Sequence, residues 1–303
     1  SFSTTLKDYE MEMNYKFVKL EIDEDKYKKY GNKNLELQLP ELPEKIQFCK
    51  KCIGSNQRPR TQFDSEGVCA TCRYAEKKFN GVIDWKKRGH ELEELLDKHR
   101  SKDGSWDVIV PSSHGKDSAL VAHQLKAKYG MHPLTATWAP YMYTDIGFQN
   151  YFNMTHRGFD GLVAWPNGYL HRKLSRVVFE LKGDPFEAFV YGQKAYPFQL
   201  ALKFNIPLIF YGENGEVEYG GSYKNENKSH ETPEDWEKSY YKGAGFDTVL
   251  KEGFNMGIIS EEELNDNNFD FYRAPPMNEI KKLNLQMHWW SYYKPWVPQE
   301  NFY

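Results

Sequence analysis

The chain has 303 residues, of which 40% are hydrophobic and 16% aromatic, so it can form one large domain with appendages around a real core. Its 40 Lys and Arg against 43 Asp and Glu give a formal charge of −3, which provides no general attraction to nucleic acid. No apolar run reaches membrane-spanning length and the first residues lack a signal-peptide core, so we expect a soluble, cytoplasmic protein without a membrane or nucleic-acid partner.

Residues 1–47 are charged and rich in tyrosine, and we interpret them as an N-terminal extension. The chain then carries its four cysteines as two Cys-x-x-Cys pairs separated by sixteen residues: Cys49, Cys52, Cys69 and Cys72. This spacing predicts a zinc ribbon over 48–80, with a hairpin turn at Glu66 and Gly67. The alternatives are two disulfides or a redox dithiol, which a reducing cytoplasm and the paired pattern disfavour. Thiolates that bind Zn²⁺ are not available for catalysis.

A linker over 81–105, with an amphipathic helix from 84 to 99, leads to the sequence VIVPSSHGKDS. The apolar run 108–110 predicts a buried parallel strand, and apolar residues recur at helical spacing from Ser118 to Tyr129. A helix that starts at such a turn favours phosphate. Lys116 adds a positive charge, and Asp117 can hold Mg²⁺. The order of strand, GKDS turn and helix predicts a loop of the ATP pyrophosphatase type over Ser112 to Ser118, with an ordinary polar loop as the alternative; the Walker spacing is absent.

Strand-like and helical runs alternate through the rest of the chain. The predicted strands are 107–111, 133–138, 161–165 and 207–211, and the predicted helices are near 118–129, 144–157, 169–181 and 197–204. This alternation predicts an α/β fold over 106–303: a doubly wound parallel sheet that binds its ligand beyond the carboxyl ends of the strands.

Three turns are candidates for that ligand site. After the second strand, Trp138 could contact adenine or simply pack in the core. The segment FVYGQK offers Tyr191, Gln193 and Lys194 to phosphate or substrate, with surface exposure as the alternative. The segment YGENGEVEYGG places carboxylates between glycines at the end of a strand, which favours a polar site over a solvated acidic turn.

Residues 222–245 are polar and are interpreted as an excursion or lid, and a helical segment follows over 246–265. The aromatic end, 287–303, is interpreted as packing against the sheet, with a sugar platform as the alternative. The chain ends without a polar tail or helix cap, so we expect that a C-terminal segment is missing.

Four segments together carry a resemblance: PSSHGKDSALVAHQLKAKYG, TWAPYMYTDIGFQN, GDPFEAFVYGQKAYP and IPLIFYGENGEVEYGG. Following the cysteine pairs, they resemble the N-acetyl sugar amidotransferases of bacterial surface-glycan biosynthesis, which include enzymes associated with pseudaminic acid, legionaminic acid and O-antigen (lipopolysaccharide) sugars. The resemblance implies a PP-loop domain of the adenine nucleotide alpha hydrolase type that uses ATP to convert an N-acetyl group into an acetamidino group. It also implies a glutaminase subunit that supplies ammonia and a cyclase-like barrel partner.

The resemblance implies roles for individual residues. ATP phosphates and Mg²⁺ would be bound by Ser113, Gly115, Lys116, Asp117 and Ser118, and Zn²⁺ by the four cysteines. The family loop SGGKDS has glycine at the position of His114, which predicts crowding of the pyrophosphate or a strained backbone there.

The chemistry points to a second set of residues. Adenylation of the amide oxygen makes AMP the leaving group, with Lys116 and Mg²⁺ stabilising the departing pyrophosphate. Glu213 or Glu216 is the candidate to orient ammonia or accept its proton, and Asn214 is a further candidate for substrate binding. The alternatives are a tRNA-thiolation enzyme, which would need sulfur-handling cysteines beyond the ribbon, and a nucleotide-binding subunit without catalysis.

Overall fold

The computed structural model describes residues 45–58, 61–220, 225–232, 234–235, 245–264 and 267–302, all within one compact unit that spans 39–303. The predicted N-terminal extension lies almost entirely outside the described residues. Of the predicted lid, only 225–232, 234–235 and Gly245 are described. Among the described helices, none combines the length and the apolar character that crossing a membrane requires.

The described strands form one sheet in the order β3-β2-β1-β4-β6-β5. Their bounds are β1 Val108–Pro111, β2 Pro133–Trp138, β3 Asp160–Ala164, β4 Leu208–Tyr211, β5 His230–Glu231 and β6 Gln286–Trp289. The first four and β6 run parallel, whereas β5 pairs antiparallel with β6. The predicted α/β fold with a mostly parallel sheet is confirmed, but the edge formed by β5 and β6 was not predicted.

The helices lie before, between and after the strands. Their bounds are α1 Ala70–Phe79, α2 Trp85–His99, α3 Lys116–His123, α4 Asp145–His156, α5 Gly168–Lys182, α6 Glu187–Phe204, α7 Gly215–Glu218, α8 Phe246–Asn255, α9 Glu261–Leu264, α10 Met277–Leu283 and α11 Trp290–Tyr293. A π-helical turn, Gln124–Lys128, continues α3, and short 3₁₀ helices occupy Asn267–Tyr272 and Glu300–Phe302.

Successive residues of the central strands face opposite sides of the sheet, as the strand period of two requires. Ile109 and Ile209 pack in a large cluster with α5, α6 and α8, whereas Val108, Val110 and Phe210 pack in a second cluster with α2, α3 and α11. Helices therefore cover both faces, and the fully buried strands explain the continuous apolar runs in the sequence.

The interpretation of FVYGQK, the second candidate, as a turn is wrong, because α6 begins at Glu187, ten residues before the predicted start. The preceding helix ends at Gly183, which adopts a left-handed φ of 73°. Asp184 then accepts a hydrogen bond from the Phe186 amide at 2.9 Å, which turns the chain into α6. The helix also continues through Pro197, where the predicted helix begins. The segment FVYGQK is therefore helical.

Candidate functional site at the carboxyl edge of the sheet

The loop between β1 and α3 lies at the point where the order of the strands in the sheet reverses. Strand β1 pairs with β2 on one side and with β4 on the other, so the connections that follow β1 and β3 leave toward opposite ends of the strand order. In open α/β sheets ligands bind in the crevice at such a point. Helix α3 begins at Lys116 with Gly115 at its N-cap and without a side-chain cap, which leaves helix amides directed into the loop.

Hydrogen bonds within the loop hold most of its predicted residues together. The buried Ser112 hydroxyl accepts from the His114 amide at 3.1 Å and donates to the Ser118 hydroxyl, also at 3.1 Å. Ser118 in turn donates to the Gly115 carbonyl at 3.3 Å. Ser113 is exposed, and its hydroxyl accepts from the Gly115 amide at 3.4 Å. Short-range contacts thus define the loop shape.

His114 adopts a left-handed backbone with a φ of 59°, which is the strained alternative of the two that the sequence predicted. Its side chain is only 4% exposed and meets the edge of the Tyr151 ring on α4, with 4.8 Å between ring centroids. Its Nδ1 has no hydrogen-bond partner among the described residues. Burial therefore lowers the pKa of His114 to about 4 and keeps the ring neutral near pH 7.

Asp117 and Lys116 form the charged part of the loop. The Lys116 ammonium lies 2.6 and 2.7 Å from the two Asp117 carboxylate oxygens, and the Asn301 amide donates to the same carboxylate at 2.8 Å. Asp117 remains 37% exposed, and its hard oxygen donors suit Mg²⁺. Sequence reasoning missed Asn301, because nothing in the sequence QENFY links it to a loop 184 positions away.

The acidic turn after β4, residues 212–220, lies beside this loop. Asn214 is buried: its amide donates to the Ser291 hydroxyl at 3.0 Å, and its side chain caps α7 by accepting from the Glu216 amide at 3.1 Å. Burial raises the pKa of Tyr219, and the negative charges of Glu213 and Asp117 raise it further. Because β1 and β4 are neighbouring parallel strands, the loop and the turn leave the same edge of the sheet.

A third group lies between α6, α7 and β5. Burial raises the pKa of Glu231 to about 6; Lys194 opposes this shift, while Asp235 and Glu216 add to it. Lys194 and Glu216 thus act electrostatically on a half-buried carboxylate that sequence reasoning missed. Glu231 stands in a polar stretch without a recognisable motif, and only its pairing in β5 shows its position. Gln193 is exposed on α6.

Two further candidates pack inside the protein. Trp138 is 6% exposed, and its ring contacts Tyr272 edge-on at a centroid distance of 5.0 Å. A Cβ at Gly192 would lie 2.1 Å from this ring, so α6 and Trp138 pack in direct contact. Tyr191 is 2% exposed and donates to Glu187 at 3.0 Å. The structure thus places both rings in the core, away from solvent.

The four cysteines converge on a possible metal site. Their sulfur atoms all lie within 4.8 Å of one another, with 3.9 Å between Cys49 and Cys72 and 3.6 Å between Cys52 and Cys69. Four thiolates around a tetrahedral Zn²⁺ with bonds of about 2.3 Å are separated by about 3.8 Å, so the group fits this ion. The predicted hairpin is present, with Gly67 at a φ of 76° and a bridge between Phe63 and Cys69.

Backbone amides support the thiolate form of Cys49, whereas burial raises the pKa of Cys69 and of Cys72. The Cys49 sulfur accepts from the amides of Lys51 at 3.3 Å and Cys69 at 3.2 Å, and the Cys52 sulfur accepts from Gly54 at 3.3 Å. Burial acts to raise the pKa of Cys49, but these amide donors outweigh it and lower the pKa to about 6. The two knuckles are thus arranged for metal binding.

Comparisons with known proteins leave the function open. No protein-family model matches the chain, and no curated protein matches its sequence. Solved structures do match, and among them is NMN synthetase from Francisella tularensis, at 11% sequence identity and a TM-score of 0.33, over 67% of this chain and 93% of that chain.

Proposed function

We propose that this protein is an ATP-dependent amidotransferase that converts the N-acetyl group of a bacterial surface-glycan sugar into an acetamidino group. The observation that carries this proposal is that β1 and β4 are neighbouring parallel strands, so that the phosphate-type loop and the acidic turn leave the same edge of the sheet. A loop with free helix amides suits a polyphosphate, and carboxylates beside it suit proton transfer. The choice of an N-acetyl sugar as the acceptor is based on the resemblance of YGENGEVEYGG and FVYGQK to the amidotransferase family.

The first step would be adenylation of the acetamido oxygen. This oxygen attacks the α-phosphorus of ATP, the bond to pyrophosphate breaks, and the amide nitrogen loses its proton to give an imidoyl adenylate. Ser112, Ser113, Gly115 and Ser118 would surround the phosphates, and Lys116 would balance charge on the departing pyrophosphate. Asp117 would hold Mg²⁺, which supplies further charge neutralisation when it is bound with ATP.

The second step would be attack by ammonia on the imidoyl carbon, with release of AMP. Glu213 or Glu216 would accept the proton that ammonia loses as the new carbon–nitrogen bond forms. Glu231, which lies with Glu216 and Lys194, adds a carboxyl group whose pKa of about 6 suits proton transfer near neutral pH. All four cysteines of the chain lie in the zinc-type cluster, so we propose that a separate glutaminase subunit supplies ammonia, alongside a cyclase-like barrel partner.

The test is mass spectrometry of candidate N-acetyl sugars incubated with ATP, Mg²⁺ and ammonium. Replacement of the acetamido oxygen by NH lowers the mass by about one unit and adds an amidine-type cation. Asp117→Asn provides a nearly isosteric control that should abolish release of AMP and pyrophosphate. ATP binding without turnover, even with the partner subunits present, would contradict the proposal. Steeply salt-dependent binding of tRNA would instead support the thiolation alternative.

A further inference from the structure

The ribbon helix α1 contacts the acidic turn through a buried ion pair. The Lys78 ammonium lies 2.6 Å from a Glu218 carboxylate oxygen, and the two side chains are only 7% and 5% exposed. Lys78 also donates to the Trp296 carbonyl at 3.0 Å. One side chain from the ribbon thus joins the turn after β4 to the C-terminal segment.

Two neighbouring contacts strengthen this junction. Gly220 ends the turn with a φ of 99°, and a Cβ at this position would lie 3.1 Å from the Thr71 hydroxyl oxygen of α1. Lys77 reaches both oxygens of Glu226, each at 2.9 Å. The ribbon helix therefore contacts the chain at Glu218, Gly220 and Glu226.

The C-terminal segment contacts both the acidic turn and the loop after β1. The Trp296 ring is 1% exposed, and a Cβ at Gly212 would lie 2.8 Å from it. The Gly212 carbonyl accepts from the Ser291 amide at 2.9 Å. Asn301 of this segment then reaches Asp117. The contacts run without interruption from the ribbon to both halves of the candidate site.

The ribbon has little apolar core of its own: its described cluster contains Cys49, Val68 and Cys69, with Phe63 and Cys72 packed against it. Domains of this size depend on a bound metal for their fold. A buried ion pair contributes little net stability, but removal of one partner leaves an uncompensated buried charge. The Lys78–Glu218 pair is thus suited to fixing the position of the acidic turn relative to α1.

We propose that Lys78 is a positioning residue through which the zinc ribbon holds the acidic turn in place, so that loss of metal from the ribbon loosens the turn. The cysteine cluster orders the ribbon, α1 presents Lys78, and Lys78 fixes Glu218. The coupling is a property of the fold; that the turn it positions is catalytic rests on the function proposed above.

Amide hydrogen exchange tests this coupling without knowledge of the substrate. In the full chain, removal of zinc by a chelator should speed exchange of the amides at 213–219 by more than about tenfold, while those at 108–110 in β1 stay protected. Lys78→Met should give the same increase at 213–219 with zinc still bound. Faster exchange confined to the ribbon, or an unchanged turn in zinc-loaded Lys78→Met, would overturn the proposal.

Two variants control the experiment. Lys77→Met removes the adjacent and more exposed ion pair with Glu226, and it should leave exchange at 213–219 within about twofold of the wild type. Glu218→Gln keeps the shape of the partner, so it provides a second test if Lys78→Met fails to fold; unchanged exchange in this variant also counts against the coupling. Lys78→Arg should restore protection. If the proposed activity fails while these exchange results hold, the coupling stands and only the function is wrong.

Discussion

The loop after β1 and the turn after β4 lie side by side, but they are held in different ways. The loop is shaped largely by its own residues, since the Ser112 hydroxyl accepts from the His114 amide and donates to the Ser118 hydroxyl. Its outside partners include Asn301 on Asp117 and Tyr151 on His114. The turn is fixed from outside, by Lys78, Ser291 and Trp296. The shape of a segment with mainly local contacts can be predicted from its sequence. The shape of a segment held by distant residues cannot.

Unfolding of the ribbon should affect the turn and leave the loop intact, and no other change should have so large a consequence. Cys69→Ser deletes one of the four cysteine sulfurs of the proposed zinc site. Since ribbons of this type fold only with their metal, we expect loss of bound zinc and unfolding of 45–79. Metal analysis and hydrogen exchange would measure this. Lys116 to Lys128 should retain native protection, and simultaneous loss of protection there would show that the loop is not locally held.

The same comparison explains what the sequence could predict. The four central strands and the loop were predictable because buried apolar runs and the GKDS turn are local patterns. Strands β5 and β6 were not, because HE is too short to show a pattern and the polar–apolar alternation of QMHW spans only four residues; their pairing with each other and with β4 defines them. Glu213 and Glu216 were placed by their glycine-flanked segment, whereas Lys78 and Asn301 act over sequence separations of 140 and 184 residues.

Two alanine substitutions, Gly212→Ala in the turn and Gly115→Ala in the loop, compare how tightly the two regions are packed. A Cβ at Gly212 would lie 2.8 Å from the Trp296 ring, whereas a Cβ at Gly115 would lie 3.3 Å from the exposed Ser113 hydroxyl. Gly212→Ala should therefore destabilise the fold by about 1–3 kcal/mol, since the buried tryptophan must shift. Gly115→Ala, at a φ of −76°, should cost well under 1 kcal/mol. Chemical denaturation measures both, and equal costs would contradict the contrast.

Ser112→Ala tests whether the loop depends on its own hydrogen bonds. The change removes the acceptor for the His114 amide and the donor to Ser118. A buried amide without a partner costs about 1–3 kcal/mol, and we expect the lower half of that range because solvent can enter the open loop. ATP affinity, measured by calorimetry, should fall with stability. Ser113→Ala is the control, because its hydroxyl is exposed and accepts one long bond at 3.4 Å; an equal loss there would argue against the role of Ser112.

The smallest effect concerns the protonation of His114. Burial lowers its pKa from 6.5 to about 4, so below pH 6.5 the unfolded chain binds a proton that the folded chain does not. Stability should therefore fall as the pH drops from 6.5, and this loss is complete near pH 4. Between pH 6.5 and 5.5 the contribution is up to about 1 kcal/mol, because a shift of one unit corresponds to 1.36 kcal/mol.

His114→Asn isolates this contribution, because asparagine tolerates the left-handed backbone and does not titrate. The variant loses the packing of His114 on Tyr151, so its stability should be lower at every pH. The informative quantity is the slope: unfolding free energy should fall less between pH 6.5 and 5.5 in the variant than in the wild type. Buried His171 and His288 titrate in both proteins and cancel in this difference. Parallel slopes would show that the His114 ring opens to solvent, and the loop would then be less self-supporting than its hydrogen bonds indicate.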